Sequence, residues 1–394
     1  MGQMPLLDAY QLSERYSRER GRVFLTGTQA IVRIALDQAR RDRASGPNTA
    51  GFISGYRGSP LGGVDLELWK IGALLKDSRI EFLPAVNEDL AATAVLGSQQ
   101  VETQNDREVD GVFGLWYGKG PGVDRSGDAL KHGNAYGSSP HGGVLVVAGD
   151  DHGCVSSSMP HQSDVAFMSW FMPTLHPADV GEYLAFGEYG YALSRFSGMW
   201  VGFKAISEIV ESGASVELPA PRRFIQADFL PPPGGLHYRW PDLPGPQIEE
   251  RLEAKKHAVY AFAKANPIDR RIYGIKDARY GIVTTGKAHL DLMEALRLVG
   301  LDWAVPDFST LSRRQKTLAV NIPYRGSKGP LHLLIDSTGI KVEGEGEWHA
   351  RKHGGPKRRV WRKIHLGIDE ETLEVRAVEV TGSHIGDAPV LPDL

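Results

Sequence analysis

The alternation of short apolar runs with helix-compatible segments is the feature that most limits the fold of this chain. Strand signals recur at Ile80–Val86, Gly111–Trp116, Gly143–Ala148 and Met199–Lys204, and each is followed by a segment that suits a helix. Strands that alternate with helices predict a mostly parallel, doubly wound α/β sheet. Because ligands bind at the carboxyl ends of the strands in such sheets, the loops after these strands are where a site is expected.

Three of those loops are unusually rich in glycine. They are Gly55–Gly63, Gly114–Ala129 with its five glycines, and Gly149–Asp164. Glycine at this density lets the backbone approach a ligand closely. None of the loops matches a dinucleotide fingerprint or a Walker loop. Lys119 can equally be a solvated loop charge and His161 a hydrogen-bonding loop residue, but three such loops at one edge favour a cofactor site.

The segment Ile80–Gln100 places an acid at the start of a helix. Asn87 is a good helix cap, Glu88 follows in the first turn, and small side chains make up much of the rest. Spacing alone favours an acid that merely complements the helix dipole. The glycine-rich loops around it favour a second interpretation, in which Glu88 binds a ligand.

Length and composition set further limits. A chain of 394 residues can hold two or three domains, and its net charge of −3 gives no overall attraction to nucleic acid or to a membrane. Cys154 is the single cysteine, so the chain can form neither an internal disulfide nor its own cysteine-ligated iron–sulfur cluster. No apolar run is long enough to span a bilayer and the first residues lack a signal-peptide pattern. We therefore expect a cytoplasmic protein without membrane contact.

The motifs GFISGYRGSPLGG, NEDLAATA and GLWYGKGPGVDRSGDA resemble the N-terminal part of the indolepyruvate ferredoxin oxidoreductase family, over roughly residues 26–300. These enzymes are thiamine-diphosphate-dependent 2-oxoacid:ferredoxin oxidoreductases. The resemblance implies that the first domain binds the aminopyrimidine of the cofactor and that Glu88 hydrogen-bonds this ring. Glu88 then promotes the imino tautomer that generates the reactive ylid. A 2-oxoacid substrate, ferredoxin as electron acceptor and a homodimer are implied in the same way.

The resemblance also implies the other residues of the site. Arg57 and Ser59 lie on the substrate side, with Arg57 a partner for the oxoacid carboxylate. The sequence contains no Gly-Asp-Gly followed by Asn at the usual distance, the motif of the diphosphate-binding domain. We therefore expect weak binding of thiamine diphosphate by this chain alone, and an incomplete oxidoreductase. The implied cofactor-binding residues are Glu88, Gly55, Gly58, Asn87, Gly118 and Gly120.

The character of the sequence changes at Trp303. Residues 303–394 carry 14 Lys+Arg against 12 Asp+Glu, whereas residues 1–302 carry 31 against 36. The sequence from GPLHLLIDSTGIKVEGEGEWHARKHGG onward closely resembles insertion-sequence transposases of the DDE type, which have a ribonuclease-H-like fold. Leu331–Ile335 predicts an apolar strand that ends at Asp336. A strand-ending carboxylate is where a two-metal nuclease needs a ligand, although a simple turn acid also fits. The resemblance makes Asp336 the first of three catalytic acids and a Mg²⁺ ligand.

A basic run, Arg351–Lys363, has seven Lys and Arg in thirteen residues and can meet phosphates. On charge alone a solvated loop is the better interpretation. One carboxylate cannot hold two metal ions, so we expect the transposase part to be inactive. The alternatives to an oxidoreductase are then a DNA-binding transposase fragment or a non-catalytic fusion product. The candidate DNA contacts are Lys357, Arg358, Arg359, Arg362 and Lys363.

Four segments follow from these patterns. Residues 1–218 are predicted to form a pyrimidine-binding-like domain, and residues 219–279 a Pro/Gly-rich connector with a helix at Ile248–Asn266. Residues 280–302 contain the start of a second oxidoreductase domain, with a strand at Tyr280–Gly286, and the junction. Residues 303–394 are an N-terminal fragment of a DDE transposase catalytic domain. LRLVGLD, at residues 296–302, fits both the end of the oxidoreductase-like sequence and the start of the transposase-like sequence.

The double fit at the junction predicts that an insertion element landed in, or recombined with, an oxidoreductase gene. Sequencing the flanking DNA tests this origin. We expect a continuation of the transposase text or the remaining oxidoreductase text nearby. If neither is present, the hypothesis of an insertion event is wrong.

Overall fold

The computed structural model describes residues 10–242, 245–272, 281–298, 333–341, 361–369, 375–382, 384–385 and 388–390. The chain divides into two units, Met1–Asp307 and Phe308–Leu394, and each is described by itself. The strands of the first unit are β1 (Arg22–Thr26), β2 (Thr49–Gly55), β3 (Ile80–Phe82), β4 (Gly111–Lys119), β5 (Val144–Asp150), β6 (Thr174–Leu175), β7 (Val201–Ile206) and β8 (Gly213–Glu217).

The helices of this unit are α1 (Gly27–Ser45), α2 (Val64–Lys70), α3 (Gly72–Asp77), α4 (Glu88–Ser98), α5 (Gly120–Arg125), α6 (Gly127–Tyr136), α7 (Asp164–Ser169), α8 (Val180–Ser197), α9 (Ser207–Val210), α10 (Gln247–Ala265) and α11 (Lys287–Leu298). Helices α1 to α9 lie between the strands of this unit, and α10 and α11 follow the last strand, β8.

A six-stranded sheet in the order β3-β2-β4-β5-β7-β6 forms the centre of the first unit. All of its neighbouring strands pair in parallel. The predicted parallel α/β fold is therefore confirmed. Every residue of β5 is buried, as expected for a parallel strand covered by helices on both faces.

Alternate residues of the central strands pack into two separate hydrophobic cores. Leu115 and Tyr117 of β4 join the core beneath α1 and α8. Trp116, between them, joins the opposite core, which contains Ala91 and Val95 of α4. This alternation follows from the two-residue period of a strand. It places α4 on the face of the sheet to which Trp116 points.

Several predicted elements differ in extent from the observed ones. The spacing of Leu66, Trp69, Leu74 and Leu75 predicts one helix, but the structure has two helices, α2 and α3, which are separated at Ile71. The predicted strand Ile80–Val86 is regular only to Phe82, but Ala85 still donates its N–H to the Gly55 carbonyl at 3.0 Å. The predicted strand at Tyr280–Gly286 is wrong for residues 281–286, which form an irregular segment leading into α11. The predicted helix Ile248–Asn266 is confirmed as α10.

The second unit contains an antiparallel sheet in the order β11-β10-β9 in its described part. Its strands are β9 (Leu333–Lys341), β10 (Trp361–Asp369) and β11 (Val375–Gly382). The prediction that the first strand ends at Asp336 is wrong, because β9 continues to Lys341. Its backbone pairs with β10 over nine positions, and Asp336 lies opposite Leu366. β-branched residues after Asp336 suit this continuation.

None of the described helices combines the length and the apolar character that crossing a membrane requires.

A buried ion pair ties α1 to α8 in the first unit. Both carboxylate oxygens of Asp42 accept hydrogen bonds from the Arg195 guanidinium, each at 2.7 Å. Thr49 at the start of β2 also donates to this carboxylate, at 2.7 Å. The third guanidinium nitrogen of Arg195 donates to the Gly142 carbonyl just before β5. Four segments of the chain therefore meet at one charge pair.

Replacing Arg195 by Met tests how much this ion pair contributes to the stability of the fold. We expect Arg195→Met to lower the free energy of unfolding by about 2–4 kcal/mol, because Asp42 is left buried without its cation. Urea denaturation measures the change. Arg43→Met is the matched control, since Arg43 is exposed and makes one hydrogen bond of 3.3 Å. Equal stability of the two variants would contradict the prediction.

Candidate site at the carboxyl edge of the parallel sheet

Helix α4 begins where the sequence predicted, and Glu88 lies in its first turn. Asn87 has extended backbone angles and its side chain accepts the Leu90 N–H at 2.9 Å, which caps the helix. The Glu88 side chain is almost buried, at 8% exposure. The indole N–H of Trp116 donates to the Glu88 carbonyl at 3.0 Å. The first turn of α4 is thereby fixed to strand β4.

Two glycines after Trp116 make room for the Glu88 side chain. A Cβ at Gly122 would lie 2.5 Å from Glu88 Cγ and 2.8 Å from its Oε1. A Cβ at Gly118 would lie 3.4 Å from Glu88 Cγ and 2.7 Å from the Trp116 ring. The carboxylate therefore rests against the backbone of α5, at a distance that only glycine permits.

The Glu88 carboxylate has no hydrogen-bond donor or cation paired with it among the residues that the structure describes. Carboxylates that are this well covered are normally satisfied by protein donors. An acceptor that is nearly buried but still reachable is suited to a ligand that brings its own N–H group.

The glycine-rich loop after β2 contacts both the end of β4 and the loop after β5. Gly58 packs against the aliphatic part of Lys119, whose Cδ would lie 2.9 Å from a Cβ at that position. Ser59 accepts a hydrogen bond from the Ser156 hydroxyl at 2.6 Å, which joins the loop after β2 to the loop after β5. Arg57 is exposed and its guanidinium makes no hydrogen bond within the described residues. Among the described residues, Arg57 is thus an exposed cation without a hydrogen-bond partner on the loop after β2.

The loop after β5 is held by two buried acids. Asp151 accepts the N–H groups of Val155 and Ser156, both at 2.9 Å. Burial by itself would raise the pKa of Asp151, but these backbone hydrogen bonds and those from serine hydroxyls lower it overall. Asp150, which is fully buried, accepts both the N–H and the hydroxyl of Ser163. The two ends of the loop are therefore anchored next to each other.

A cation supports the same edge from the neighbouring strand. Lys204 of β7 donates to Asp164 at the start of α7 at 2.5 Å, and its Nζ is 3.6 Å from Asp150. Burial would raise the pKa of Asp164, but the hydrogen bond and charge of Lys204 lower it overall. Burial also lowers the pKa of His176 to about 4, and the positive charge of Lys204 acts in the same direction.

The structure brings together most of the residues that the sequence indicated. Asn87 caps the helix that begins at Glu88, Gly118 lies against the Glu88 side chain, and Gly120 lies two residues before Gly122 in α5. Gly55 lies one strand away, where its backbone approaches the Tyr117 carbonyl. Sequence reasoning missed the two closest neighbours of Glu88, which are Trp116 and Gly122. The paired glycines of KGPG were a usable signal, whereas nothing local indicated the direction of the Trp116 indole.

The transposase-like candidates are only partly described. Asp336 lies in β9, and Arg362 and Lys363 lie at the start of β10. Lys357, Arg358 and Arg359 fall outside the described residues. Within the described residues, no group of three or more His, Cys, Asp or Glu side chains is arranged to hold a metal ion.

Comparison with known proteins separates the two parts of the chain. Two models of transposase DDE domains match, one over residues 288–345 and the other over residues 327–394. The indolepyruvate oxidoreductase subunit IorA of Methanothermobacter thermautotrophicus is 24% identical over 298 residues, which are 73% of this chain and 43% of that subunit. The chain joins an indolepyruvate oxidoreductase-like region to a transposase DDE-like region.

Two further matches involve the oxidoreductase-like region. The IorA subunit of Methanothermobacter marburgensis is 23% identical over 290 residues, covering 71% of this chain and 41% of that subunit. This chain therefore spans less than half the length of both IorA subunits. A solved 2-oxoglutarate:ferredoxin oxidoreductase from Magnetococcus marinus, with 2-oxoglutarate, coenzyme A and succinyl-CoA bound, has 16% identity and a TM-score of 0.49, covering 75% of this chain and 56% of that chain.

The close approach of Gly122 to Glu88 generates a prediction. Gly122→Ala should lower the free energy of unfolding by about 1–3 kcal/mol, because the new Cβ forces the nearly buried Glu88 side chain aside. Gly97→Ala is the control, because a Cβ at Gly97 in α4 meets nothing within 4 Å. That variant should be neutral or more stable by about 0.5–1 kcal/mol. Chemical denaturation followed by circular dichroism measures both, and a Gly122→Ala variant as stable as Gly97→Ala would refute the packing argument.

Proposed function

We propose that the first unit binds the aminopyrimidine end of thiamine diphosphate and serves a 2-oxoacid:ferredoxin oxidoreductase of the indolepyruvate type. The observation that carries this proposal is the Glu88 carboxylate, which is nearly buried, unpaired within the described residues and set against glycine backbone. Its placement after the cap of a helix, at the carboxyl edge of a parallel sheet, supports the same function.

The residues present fit an aminopyrimidine ring. The Glu88 carboxylate can accept a hydrogen bond from a ring N–H and can hold a proton in common with that nitrogen. Gly118 and Gly122 let the Glu88 side chain lie directly against backbone, which holds this acceptor in place for the ring. When bound, thiamine diphosphate supplies the electron sink that decarboxylation of a 2-oxoacid requires. The role of this chain is to hold the ring and to set the protonation of one nitrogen.

The substrate would enter from the loop after β2. The free Arg57 guanidinium offers the planar pair of donors that a carboxylate prefers. Ser59, already joined to Ser156, lies two residues further on and can orient the same group. We therefore assign these two residues to recognition of the oxoacid, with an aryl pyruvate such as indolepyruvate as the substrate class.

The remaining parts of the reaction require a second domain or protein. The diphosphate with its Mg²⁺, and electron transfer to ferredoxin, belong to that partner. Exposed apolar side chains at the carboxyl edge support such docking, because large apolar surface near a site is typical of an interface. They include Val86 and Leu90 beside Glu88, and Val155 and Met159 in the loop after β5.

For the transposase-like part, the assignments stay predictions from the sequence. These are Asp336 as a Mg²⁺ ligand, and DNA phosphate contacts by Lys357, Arg358, Arg359, Arg362 and Lys363. The Lys363 backbone pairs with Gly339 in the observed sheet. Transposition is not favoured as the function of this chain.

Calorimetric titration with thiamine diphosphate and Mg²⁺, and separately with thiamine, tests the proposed site. We expect Glu88→Gln to weaken binding of both by about tenfold or more, because a neutral amide cannot share the ring proton. Glu81→Gln is the matched control, since Glu81 is an exposed acid in the adjacent strand β3. It should bind like the unaltered chain.

Comparing the two ligands also distinguishes contacts to the pyrimidine from contacts to the diphosphate of the cofactor. Similar affinities for thiamine and thiamine diphosphate would agree with a chain that contacts the pyrimidine and leaves the diphosphate to a partner. The proposed function fails if the folded chain binds neither ligand at millimolar concentration. It fails equally if Glu88→Gln binds both as tightly as Glu81→Gln.

A further inference from the structure

We propose that His161 is a positioning residue that holds helix α5 against Glu88. This inference deepens the proposed function and rests on it for its meaning, although the contacts themselves belong to this chain alone. His161 lies in the loop after β5, ten residues beyond the anchor at Asp151 and far in sequence from α4 and α5.

The His161 ring joins two acids from different elements. Its Nε2 lies 2.8 Å from Asp124 Oδ2 in α5, and its Nδ1 lies 3.5 Å from Asp150 Oδ1 at the end of β5. The ring is largely buried, with 14% of the side chain exposed. With its Nε2–H donated to Asp124, the imidazole links the short helix to the carboxylate at the end of β5.

The Asp150 end of this bridge is firmly held. Its carboxylate is fully buried and accepts two hydrogen bonds from Ser163, while Lys204 approaches from β7. The Asp124 end is different, because the Asp124 side chain is 65% exposed. The bridge therefore runs from a buried acid at the end of β5, through His161, to an exposed acid on the short helix α5.

The ring also packs directly on the backbone of α5. A Cβ at Gly120 would lie 2.2 Å from His161 Nδ1, so only glycine leaves room for the imidazole. Helix α5 has six residues and no side-chain hydrogen bond at its N-cap, Lys119. A helix this short has little stability of its own. Its position must come from contacts such as this one.

The same turn of helix is the wall behind Glu88. Gly122 lies between Gly120, which packs against the His161 ring, and Asp124, which accepts a hydrogen bond from that ring. Gly122 itself contacts the Glu88 carboxylate. A shift of α5 would therefore change the space around that carboxylate. His161 acts on the pocket through α5, and it does so without touching Glu88.

Hydrogen–deuterium exchange and thiamine titration of His161→Ala test this role. We expect exchange of the amides in α5 and in the first turn of α4 to rise about tenfold, while the core strands keep their protection. Thiamine affinity should fall about fivefold, less than for Glu88→Gln. His132→Ala is the matched control, because His132 pairs with Asp128 on the next helix but is exposed.

A conservative variant and a double variant distinguish positioning from a general loss of packing. His161→Gln, whose amide can still donate to Asp124, should restore most of the exchange protection and of the affinity. Asp124→Asn should weaken protection of α5, and combining it with His161→Ala should add little, because both remove one bridge.

The outcomes are separable from those of the proposed function. If the unaltered chain binds no thiamine, the function fails while exchange still decides the positioning role. The inference is overturned if α5 keeps its protection in folded His161→Ala. It is also overturned if protection falls evenly over the whole first unit, or if His132→Ala has the same effect.

Discussion

The hydrogen bond from the Trp116 indole to the Glu88 carbonyl is the interaction on which the geometry of the site depends. Trp116 is fully buried, so its N–H needs a partner inside the protein. The carbonyl it finds belongs to the first turn of α4, and this fixes the start of that helix relative to β4. With the helix start fixed, the direction of the Glu88 carboxylate toward Gly122 follows. Removing the indole N–H would release the acid from its place rather than merely open a gap.

The glycines of these loops also have a role in internal packing. The density of glycine in the loops indicated close approach to a ligand, yet much of it serves packing within the chain. Gly120 receives the His161 ring and Gly122 the Glu88 side chain. The same arrangement occurs away from the site, where the ring of Trp200 lies against Gly133 of α6, with a Cβ there only 2.4 Å from it. A glycine-rich loop therefore indicates where bulky side chains of neighbouring elements pack closely, as Glu88 does at Gly122.

The fold was predictable because its signal is local. Apolar runs followed by helices are visible along the chain, and the cap at Asn87 is a local pattern too. The β1–β8 pairing was not predictable, because Arg22 and Glu217 meet across most of the first unit and no periodicity records such a partner. The His161 bridge was not predictable for the same reason, since its two acids lie on other elements. Asp336 was placed at a strand end because the apolar run stops there, but pairing with β10 carries the strand beyond it.

The antiparallel pair β1–β8 has a consequence for how such a chain can evolve. Arg22 lies opposite Glu217, so the segment that builds the parallel sheet begins and ends at neighbouring points. Every strand pair in the described part of the first unit is contained between those two residues. A genetic rearrangement beyond α10, which contributes Phe262 to the core of this sheet, leaves all of these strand pairs intact. The strands together with α10 can therefore acquire a foreign neighbour and keep their own hydrogen-bonded framework.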